Sequence, residues 1–235
     1  LQRPGQALMM LDPLRAPELA AHLHRYGVSL PPDVVVDPAA RLYGGELLTM
    51  QIPFERGEHP ILGPLDAPPV FSLTRSVGVL PDDTGATSAV TFLRTSQASW
   101  ATTDTSVLRT GSPVFEAERD RSGPVTVGLE VAFRTLTPPG AEPQQGRLIV
   151  YGNAGFADNF FIEYLGNKDL FVNTINWLAR DPHAISHRPH RQELGVAQFY
   201  VSNEQGNAIF WGTAVGEPLL FAAIGLALAA WRRRG

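Results

Sequence analysis

The sequence predicts an α/β domain built on a parallel sheet and followed by a C-terminal transmembrane helix. Two short apolar runs, 7–11 and 34–36, each end in an Asp-Pro pair and enclose a segment with helical periodicity. A strand, a helix and a second strand in this order are typical of a parallel α/β unit. At the other end of the chain, residues 208–231 are almost entirely apolar and are followed by three arginines, as in membrane-spanning helices.

The first helix is predicted between those two strands. Pro17 suits its first turn, Leu19 and Leu23 fall on one face, and Gly27 is a natural stop. Further strands are expected where apolar residues run together or alternate with polar ones. These expected strands cover 47–52, 70–80, 89–93, 125–135, 148–152 and 184–187. The regular alternation in 125–135 predicts a strand with one face in solvent.

The second helix is predicted over 168–180, close to the end of the α/β domain. Asn167 is a credible N-cap, because its short amide side chain can accept a hydrogen bond from the first turn. Phe171, Ile175 and Leu178 then recur on one face of the helix. This apolar stripe is expected to face the core.

The chain is predicted to divide into consecutive parts with different environments. The α/β domain covers 1–190, a linker 191–207, the transmembrane helix 208–231 and a cytoplasmic tail 232–235. The first residue is Leu1 and a strand-like run follows almost at once. We therefore expect the sequence to be an N-terminally truncated fragment of a longer protein.

Composition narrows the class of protein. Hydrophobic residues make up 44% of the chain and charged residues 18%, which indicates a globular domain with an apolar core. The net charge is −4, and subtracting the +3 of Arg232, Arg233 and Arg234 leaves −7, so no nucleic-acid partner is expected. With no cysteine, the chain has no disulfide, no thiolate zinc site and no cysteine nucleophile.

Residues 211–231 have the length and the flanks of a transmembrane helix. A helix of this length spans about 31 Å, close to the bilayer's hydrocarbon thickness of about 30 Å. Trp211 and Trp231 suit the two interfaces, and the terminal arginines place the C-terminus in the cytoplasm. We therefore expect the α/β domain on the periplasmic side of a bacterial inner membrane. Glu217 and Pro218 interrupt the run, so a helix packed on the domain is the alternative.

Polar residues at the ends of predicted strands form the candidate binding site. In parallel α/β proteins ligands tend to bind at the carboxyl ends of strands, where aspartates and asparagines of this chain are concentrated. The candidate ligand-binding residues are Asp12, Asp37, Trp100, Asn153, Asp158 and Asn159. The alternative is that the aspartates and asparagines serve the turns themselves, since their side chains bond to nearby backbone.

Other catalytic and metal-binding patterns are weak or missing. No GxGxxG, GxxxxGK[ST] or GxSxG motif occurs, so neither a nucleotide site nor a serine hydrolase is predicted. His183, His187 and His190 are spaced as metal ligands could be, but Pro182 and Pro189 bend the segment. We predict no metal site, no cofactor and no catalytic residue.

Several motifs together resemble one bacterial family. They are HPI at 59–61, RTS at 94–96, GRLIVYGNAGFADN at 146–159 and GNKDLFVNTINWLA at 166–179, followed by one apolar segment ending in RRR. This order is similar, over nearly the whole chain, to that of auxiliary proteins of ABC-type transport systems, including the gliding-motility-associated GldG-like proteins. The resemblance implies a Rossmann-like domain related to class I glutamine amidotransferases and to a domain of intraflagellar transport proteins.

The resemblance also implies partners and a function. Such a protein would act as a non-catalytic accessory or scaffold in export or gliding motility, with ABC permease and ATPase subunits as partners and an extracellular polymer as a further ligand. Relatives often carry an acidic Gly-Asp-Ser-Asp-Phe turn where residues 152–156 here read GNAGF, so both acids are missing. A periplasmic saccharide-binding module is the first alternative, and a hydrolase of amidotransferase-like fold is the second.

Overall fold

The elements of the fold follow the apolar runs of the sequence, although several are shorter than predicted. The computed structural model describes residues 5–43, 47–80, 86–106, 108, 113–134, 145–179 and 210–233. Its strands are β1 (Gln6–Met10), β2 (Val28–Ser29), β3 (Val34–Val36), β4 (Thr49–Gln51), β5 (Val70–Ser72), β6 (Gly78–Val79), β7 (Ala86–Arg94), β8 (Trp100–Thr102), β9 (Arg121–Ser122), β10 (Thr126–Arg134) and β11 (Gln145–Tyr151). Its α-helices are α1 (Pro17–Leu23), α2 (Asn167–Leu178) and α3 (Glu217–Arg232).

The main sheet is four-stranded and mixed, with the strand order β1-β11-β10-β7. β1 and β11 are parallel, so that Met10 lies opposite Tyr151. β10 is antiparallel to both of its neighbours, β11 and β7. The fold is therefore mixed α/β, and the prediction of a parallel sheet is wrong for both pairs that β10 makes. Ten residues separate the end of β10 from the start of β11, fewer than the dozen or more that a parallel crossover needs.

The predicted strand–helix–strand unit does not form a parallel pair. β3 lies in a three-stranded sheet of order β3-β8-β9, and it is antiparallel to β8. Residues that follow β5 connect this sheet to the main one. On one side, the N–H of Val35 in β3 donates to the carbonyl of Thr74 at 2.8 Å. On the other, the N–H of Arg75 donates at 2.8 Å to the carbonyl of Gly152, directly after β11. β2-β6 and β4-β5 form two further two-stranded sheets.

Apolar side chains cover both faces of the main sheet. Along β11, Ile149 and Tyr151 belong to one core while Leu148 and Val150 belong to the other, as the alternation of a strand requires. The first core also contains Leu170 and Leu178 of α2, and the second contains Ala20 and Leu23 of α1. The prediction that 125–135 exposes one face is therefore wrong, because α2 and the segment 59–65 cover the face that carries its polar residues.

The two helices of the α/β unit differ in detail from their prediction. α1 continues as a 3-10 helix, His24–Tyr26, and ends as expected at Gly27, whose φ is 77°. Gly166, not Asn167, is the N-cap of α2, because the Asn167 side chain is buried against β5. Of the predicted apolar stripe, Leu178 is buried whereas Ile175 is exposed.

The chain divides into two compact units, Leu1–Arg191 and Gln192–Gly235. In the second, Trp211–Gly216 is a π-helix and α3 follows directly. Pro218 accounts for the π-helical hydrogen bonding before α3, because its ring crowds the carbonyl four residues earlier and it has no N–H to donate. The helix predicted over 208–231 is thus divided into a π-helical and an α-helical part, and no helix in the described ranges combines the length and the apolarity needed to span a bilayer.

Three predicted features lie outside the described residues. They are the strand at 184–187, the histidines His183, His187 and His190, and the linker 191–207.

Candidate functional site

The loops that follow β1, β5 and β11 meet at one edge of the main sheet, which we call the rim. Because β1 and β11 are parallel, Asp12 and Asn153 leave the sheet side by side. Asp12 Oδ1 accepts a hydrogen bond of 2.7 Å from the N–H of Ala154. Asn153 Nδ2 donates to the carbonyl of Leu73, directly after β5, at 3.2 Å. Residues 152–166, which run from β11 to α2, are the rim loop.

Asn153 fastens the start of the rim loop to β5. Its side chain is fully buried, and Nδ2 also donates to the carbonyl of Ser72 at 2.6 Å. Its Oδ1 accepts the N–H of Phe156 at 2.7 Å. Gly152 precedes it because a Cβ at that position would overlap the carbonyl oxygen of Arg75. The sequence GN at 152–153 therefore reflects a close approach of two backbones.

Asp158 shapes the middle of the rim loop. Its Oδ1 accepts hydrogen bonds from the N–H groups of Phe160 and Phe161, at 2.8 and 2.7 Å. This is the turn-forming role that aspartate takes when its side chain bonds to backbone two and three residues on. Asn159 is exposed beside it. The predicted residues Asp12, Asn153, Asp158 and Asn159 thus share the rim.

The other two predicted residues, Asp37 and Trp100, lie at the three-stranded sheet. Val36 is opposite Trp100 in the β3-β8 pair, and Asp37 Oδ1 accepts the hydroxyl of Ser96 at 2.8 Å. The Trp100 ring lies edge-on to Phe115, at 5.9 Å between centroids, and its buried indole N–H has no hydrogen-bond partner in the part of the chain that the structure describes. Among those same residues, no hydrogen bond or ring contact joins this pair to the rim.

The polar groups of the rim hold backbone in place. Asp12, Asn153 and Asp158 each bind N–H or carbonyl groups of the loops around them. Across the described ranges, no group of three His, Asp or Glu side chains is placed to hold a metal ion. The chemistry that the rim can offer a partner is therefore largely that of its apolar side chains.

Aromatic residues form the outer surface of the rim loop. Phe160 is 67% exposed, and its ring packs against Phe161 at 4.9 Å and Tyr164 at 5.7 Å between centroids. Phe156 points the other way and stacks on Phe71 of β5 at 4.9 Å. The loop thus has a buried aromatic anchor, Phe156, and a second aromatic group in which Phe160 is exposed and Phe161 and Tyr164 are half-buried.

Three exposed leucines at the rim have left-handed backbone conformations. Leu14, Leu73 and Leu165 have φ values of 58°, 56° and 41°. Each is between 36% and 48% exposed, so folding gains little from burying these side chains. A left-handed conformation costs a residue with a Cβ about 1–2 kcal/mol. Strain of this kind persists where the surrounding structure imposes it, and it tends to occur at functional surfaces.

A second set of interacting polar side chains, which the sequence did not predict, lies on the α2 side of the main sheet. We call His59, Glu130, Arg147 and Trp177 the Glu130 cluster. Glu130 Oε2 accepts hydrogen bonds from His59 Nε2 at 2.5 Å and from Trp177 Nε1 at 2.9 Å. Its other oxygen, Oε1, lies 2.8 Å from Nε of Arg147, whose guanidinium stacks 4.3 Å above the Trp177 ring.

Two hydrogen bonds orient the imidazole of His59. Nδ1 accepts the N–H of Ile61 at 3.2 Å, so Nε2 is the ring nitrogen that donates to Glu130. The ring is buried and stacks on Phe92 at 4.3 Å. These contacts hold the segment 59–65 against the main sheet.

The environment of Glu130 favours its ionised form. Burial alone raises the pKa of a carboxyl group, but hydrogen bonds from His59 and Trp177 and the charge of Arg147 outweigh burial and lower the pKa of Glu130. The sequence contained one indication of this site, a glutamate at a polar position of an otherwise apolar strand. Its partners lie 71, 17 and 47 residues away, and local pattern could not identify them.

Comparison with known proteins gives a likeness to solved structures. No protein-family model matches the sequence, and no curated protein is significantly similar to it. A solved structure described as "mmIFT52 N-terminal domain" is similar over 80% of this chain and 68% of its own, with 14% sequence identity and a TM-score of 0.47.

Proposed function

We propose that this chain is a non-catalytic accessory component of a bacterial ABC-type transport complex, of the GldG-like kind. In this proposal the permease and the ATPase are its partners, and its C-terminal helical segment attaches it to the inner membrane. The α/β unit would be a Rossmann-like domain, related to class I glutamine amidotransferases, on the extracytoplasmic side. One observation carries the attachment: the helical segment presents large apolar side chains without burying them. The transport role rests on the resemblance of the sequence motifs to the GldG-like family.

The exposure of that segment is extensive. Seven of its large apolar residues are between 47% and 76% exposed, and they are Phe210, Trp211, Leu219, Phe221, Ile224, Leu226 and Trp231. Contiguous apolar surface on a helix marks contact with a membrane or with another protein. Each Å² of apolar surface removed from water contributes about 25 cal/mol. Covering this segment would therefore stabilise attachment strongly.

The rim supports a non-catalytic role. Its aspartates and Asn153 are bonded to loop backbone, and the chain has no cysteine with which to act as an amidotransferase. The Glu130 cluster is likewise satisfied within the protein, since Glu130 binds three side chains at once. These contacts favour a scaffold over an enzyme.

Membrane attachment is tested by fractionating cells that express the full chain. We expect the chain in carbonate-washed membranes, and we expect the triple variant Phe221→Ser, Ile224→Ser and Leu226→Ser to move to the soluble fraction. Val90→Ser is the matched control, because Val90 is also an exposed apolar residue but lies on β7 of the α/β unit. Recovery of the unaltered chain in the soluble fraction would contradict attachment.

The transport role is tested by crosslinking in native membranes and purification of the chain. We expect an ABC ATPase and a permease to be recovered in fixed proportion with it. Purification of an attached but solitary chain would contradict the transport role while leaving attachment intact.

The saccharide-binding alternative remains a prediction from the sequence. This alternative requires Asn153, Asp158 and Trp100 to line one pocket. Asn153 and Trp100 are both buried, however, and they belong to different parts of the fold: Asn153 is hydrogen-bonded to the carbonyl of Ser72, and Trp100 lies in the β3-β8 pair. A thermal-shift screen against oligosaccharides tests it. A saturable rise in unfolding temperature would favour this alternative over the scaffold.

A further inference from the structure

We infer that the arginines at the end of α3 bind the headgroups of anionic phospholipids, so that the attachment proposed above is selective for acidic membranes. The inference rests on that attachment and adds the class of lipid that the helical segment selects. It is carried by the exposure of the segment at both of its ends, by the guanidinium groups at one end, and by the acidic charge of the rest of the chain.

Both ends of the helical segment carry an exposed tryptophan, but the ends differ in charge. Trp211 at the first end is 62% exposed, and Trp231 at the second is 76% exposed. Tryptophans in such positions are typical of helices whose ends lie at the level of lipid headgroups. The second end alone continues into cations, since Arg232, Arg233 and Arg234 follow Trp231 directly. A contact with headgroups that depends on positive charge is therefore expected at the end of α3.

The guanidinium groups at this end are available to a ligand. Arg232 and Arg233 are exposed, and neither forms an ion pair with another residue that the structure describes. The dipole of α3 favours a cation in its last turn, but this effect is small at an exposed position and declines beyond that turn. Because α3 ends at Arg232, two of the three arginines follow the helix, and the dipole does not account for them.

The one carboxylate of the segment is too distant to cancel the arginines. Residues 208–235 contain three arginines and one acidic residue, Glu217, so their net charge is +3 − 1 = +2. Glu217 is the first residue of α3 and Arg232 is the last. At about 1.5 Å per residue they are about 22 Å apart, well beyond the Debye length of about 8 Å at physiological ionic strength. The end of α3 is therefore locally cationic.

The charge of the rest of the chain has the opposite sign. The whole chain carries −4, and without its last three arginines it carries −7. Like charge opposes association, so the overall charge predicts a preference for neutral membranes, whereas the end of α3 predicts a preference for acidic ones. Because these two expectations have opposite signs, the lipid preference identifies which charges contact the membrane.

Guanidinium is chemically suited to an anionic headgroup. Its planar fork of N–H groups binds two phosphate oxygens at once, and it is more weakly hydrated than the ammonium group of lysine. A zwitterionic headgroup offers the same phosphate but carries a cation of its own, so its surface does not attract arginine over a distance. An anionic headgroup offers both the hydrogen bonds and the attraction.

Competition between two kinds of vesicle tests the inference with the full chain. Vesicles of phosphatidylcholine are mixed with vesicles of phosphatidylcholine and phosphatidylglycerol in equal parts, in enough detergent for the chain to exchange between them. One kind is loaded with sucrose, so that centrifugation separates the two. We expect the anionic vesicles to be favoured about 100-fold, which corresponds to about 3 kcal/mol, or about 1 kcal/mol for each basic residue at an acidic surface.

Two triple variants with the same total charge locate the preference. The first removes the arginines at the end of α3, and it consists of Arg232→Gln, Arg233→Gln and Arg234→Gln. The matched control removes three exposed arginines of the α/β unit, and it consists of Arg15→Gln, Arg25→Gln and Arg94→Gln. We expect the first variant to distribute almost equally between the two kinds of vesicle. The control should keep the preference of the unaltered chain, although both variants carry −4 − 3 = −7.

The possible failures of this experiment are distinguishable. Equal distribution of the unaltered chain between the two kinds of vesicle would overturn the inference and leave the attachment intact. Recovery of the chain in neither kind would contradict the attachment itself, and the inference with it. An equal loss of preference in both triple variants would assign the preference to the total charge and overturn the inference. Loss of the preference on adding inorganic phosphate at constant ionic strength would also overturn it, because the arginines would then belong to a soluble phosphate ligand.

Discussion

The rim and the Glu130 cluster belong to the same sheet, but their polar side chains bind different groups. At the rim the side chains bind backbone: Asp158 accepts N–H groups two and three residues away, and Asn153 binds the N–H of Phe156 and the distant carbonyl of Ser72. In the Glu130 cluster, one carboxylate collects a histidine, a tryptophan and an arginine from distant parts of the chain. The rim leaves aromatic rings and leucines in solvent, whereas the cluster places charge against α2.

This difference indicates which polar residues are available to partners. A polar side chain that bonds to nearby backbone shapes a loop and leaves its neighbours free to make contacts outside the chain. A buried carboxylate with three partners joins the sheet, the segment after β4 and α2, and it contributes to the cooperativity of the fold. The following predictions, ordered by expected size, test whether the two regions differ in this way.

Removing the Glu130 side chain should have the largest effect. Glu130→Ala leaves His59 Nε2 and Trp177 Nε1 without their acceptor, and loss of one member of a buried charged group costs about 3 kcal/mol. Chemical denaturation measures the free energy of unfolding. The control is Glu163→Ala, which removes an exposed ion pair with Lys168 and should cost at most about 0.5 kcal/mol. Equal losses for the two variants would contradict a structural role for the cluster.

Asn153→Ala should destabilise the protein by about 2 kcal/mol, because it leaves buried carbonyl and N–H groups of the rim unpaired. Asn159→Ala, next to the same loop turn but exposed, should change the free energy of unfolding by less than about 0.5 kcal/mol. Thermal unfolding of both variants under one buffer condition makes the comparison. A small loss for Asn153→Ala would reopen the view that this amide serves a ligand.

Acidification should weaken the Glu130 cluster. The pKa of Glu130 is lowered in the folded state, so its ionised form stabilises the protein above the unfolded pKa of about 4.3. That contribution is lost as the pH falls through the folded-state pKa. We expect Glu130→Gln to be less stable than the unaltered chain near neutral pH and the difference to shrink below about pH 4. Denaturation curves across pH 3–7 measure it, and a difference that grows on acidification would contradict the prediction.

Leu73→Asn should have the smallest effect and the opposite sign. Asparagine adopts left-handed φ more readily than leucine, and the exposed leucine loses little burial, so we expect a gain of up to about 1 kcal/mol. Val79→Asn is the control, because Val79 is an exposed apolar residue without a positive φ. A loss of stability for Leu73→Asn would show that packing of this leucine outweighs its strain.

The local sequence pattern was sufficient to predict many helices and strands, but it was not sufficient to predict how they are arranged. Gly27 ends the first helical segment as predicted, and the runs around 7–11, 34–36 and 148–152 form strands. The alternation in 125–135 predicted β10 as a strand but not what covers its polar face. The six candidate residues were predicted as one group, whereas the structure places Asp37 and Trp100 in a different sheet from Asn153.

The sequence by itself determined the α/β class, the polar turns after strands and the apolar C-terminal segment. These follow from short-range rules of periodicity, capping and turn chemistry that act within a few residues. The tertiary structure alone decided the antiparallel insertion of β10 beside β11, the partners of Glu130 and the grouping of three strained leucines at the rim. Each of these depends on contacts between residues far apart in the chain, and a local sequence pattern does not specify which distant side chains are in contact.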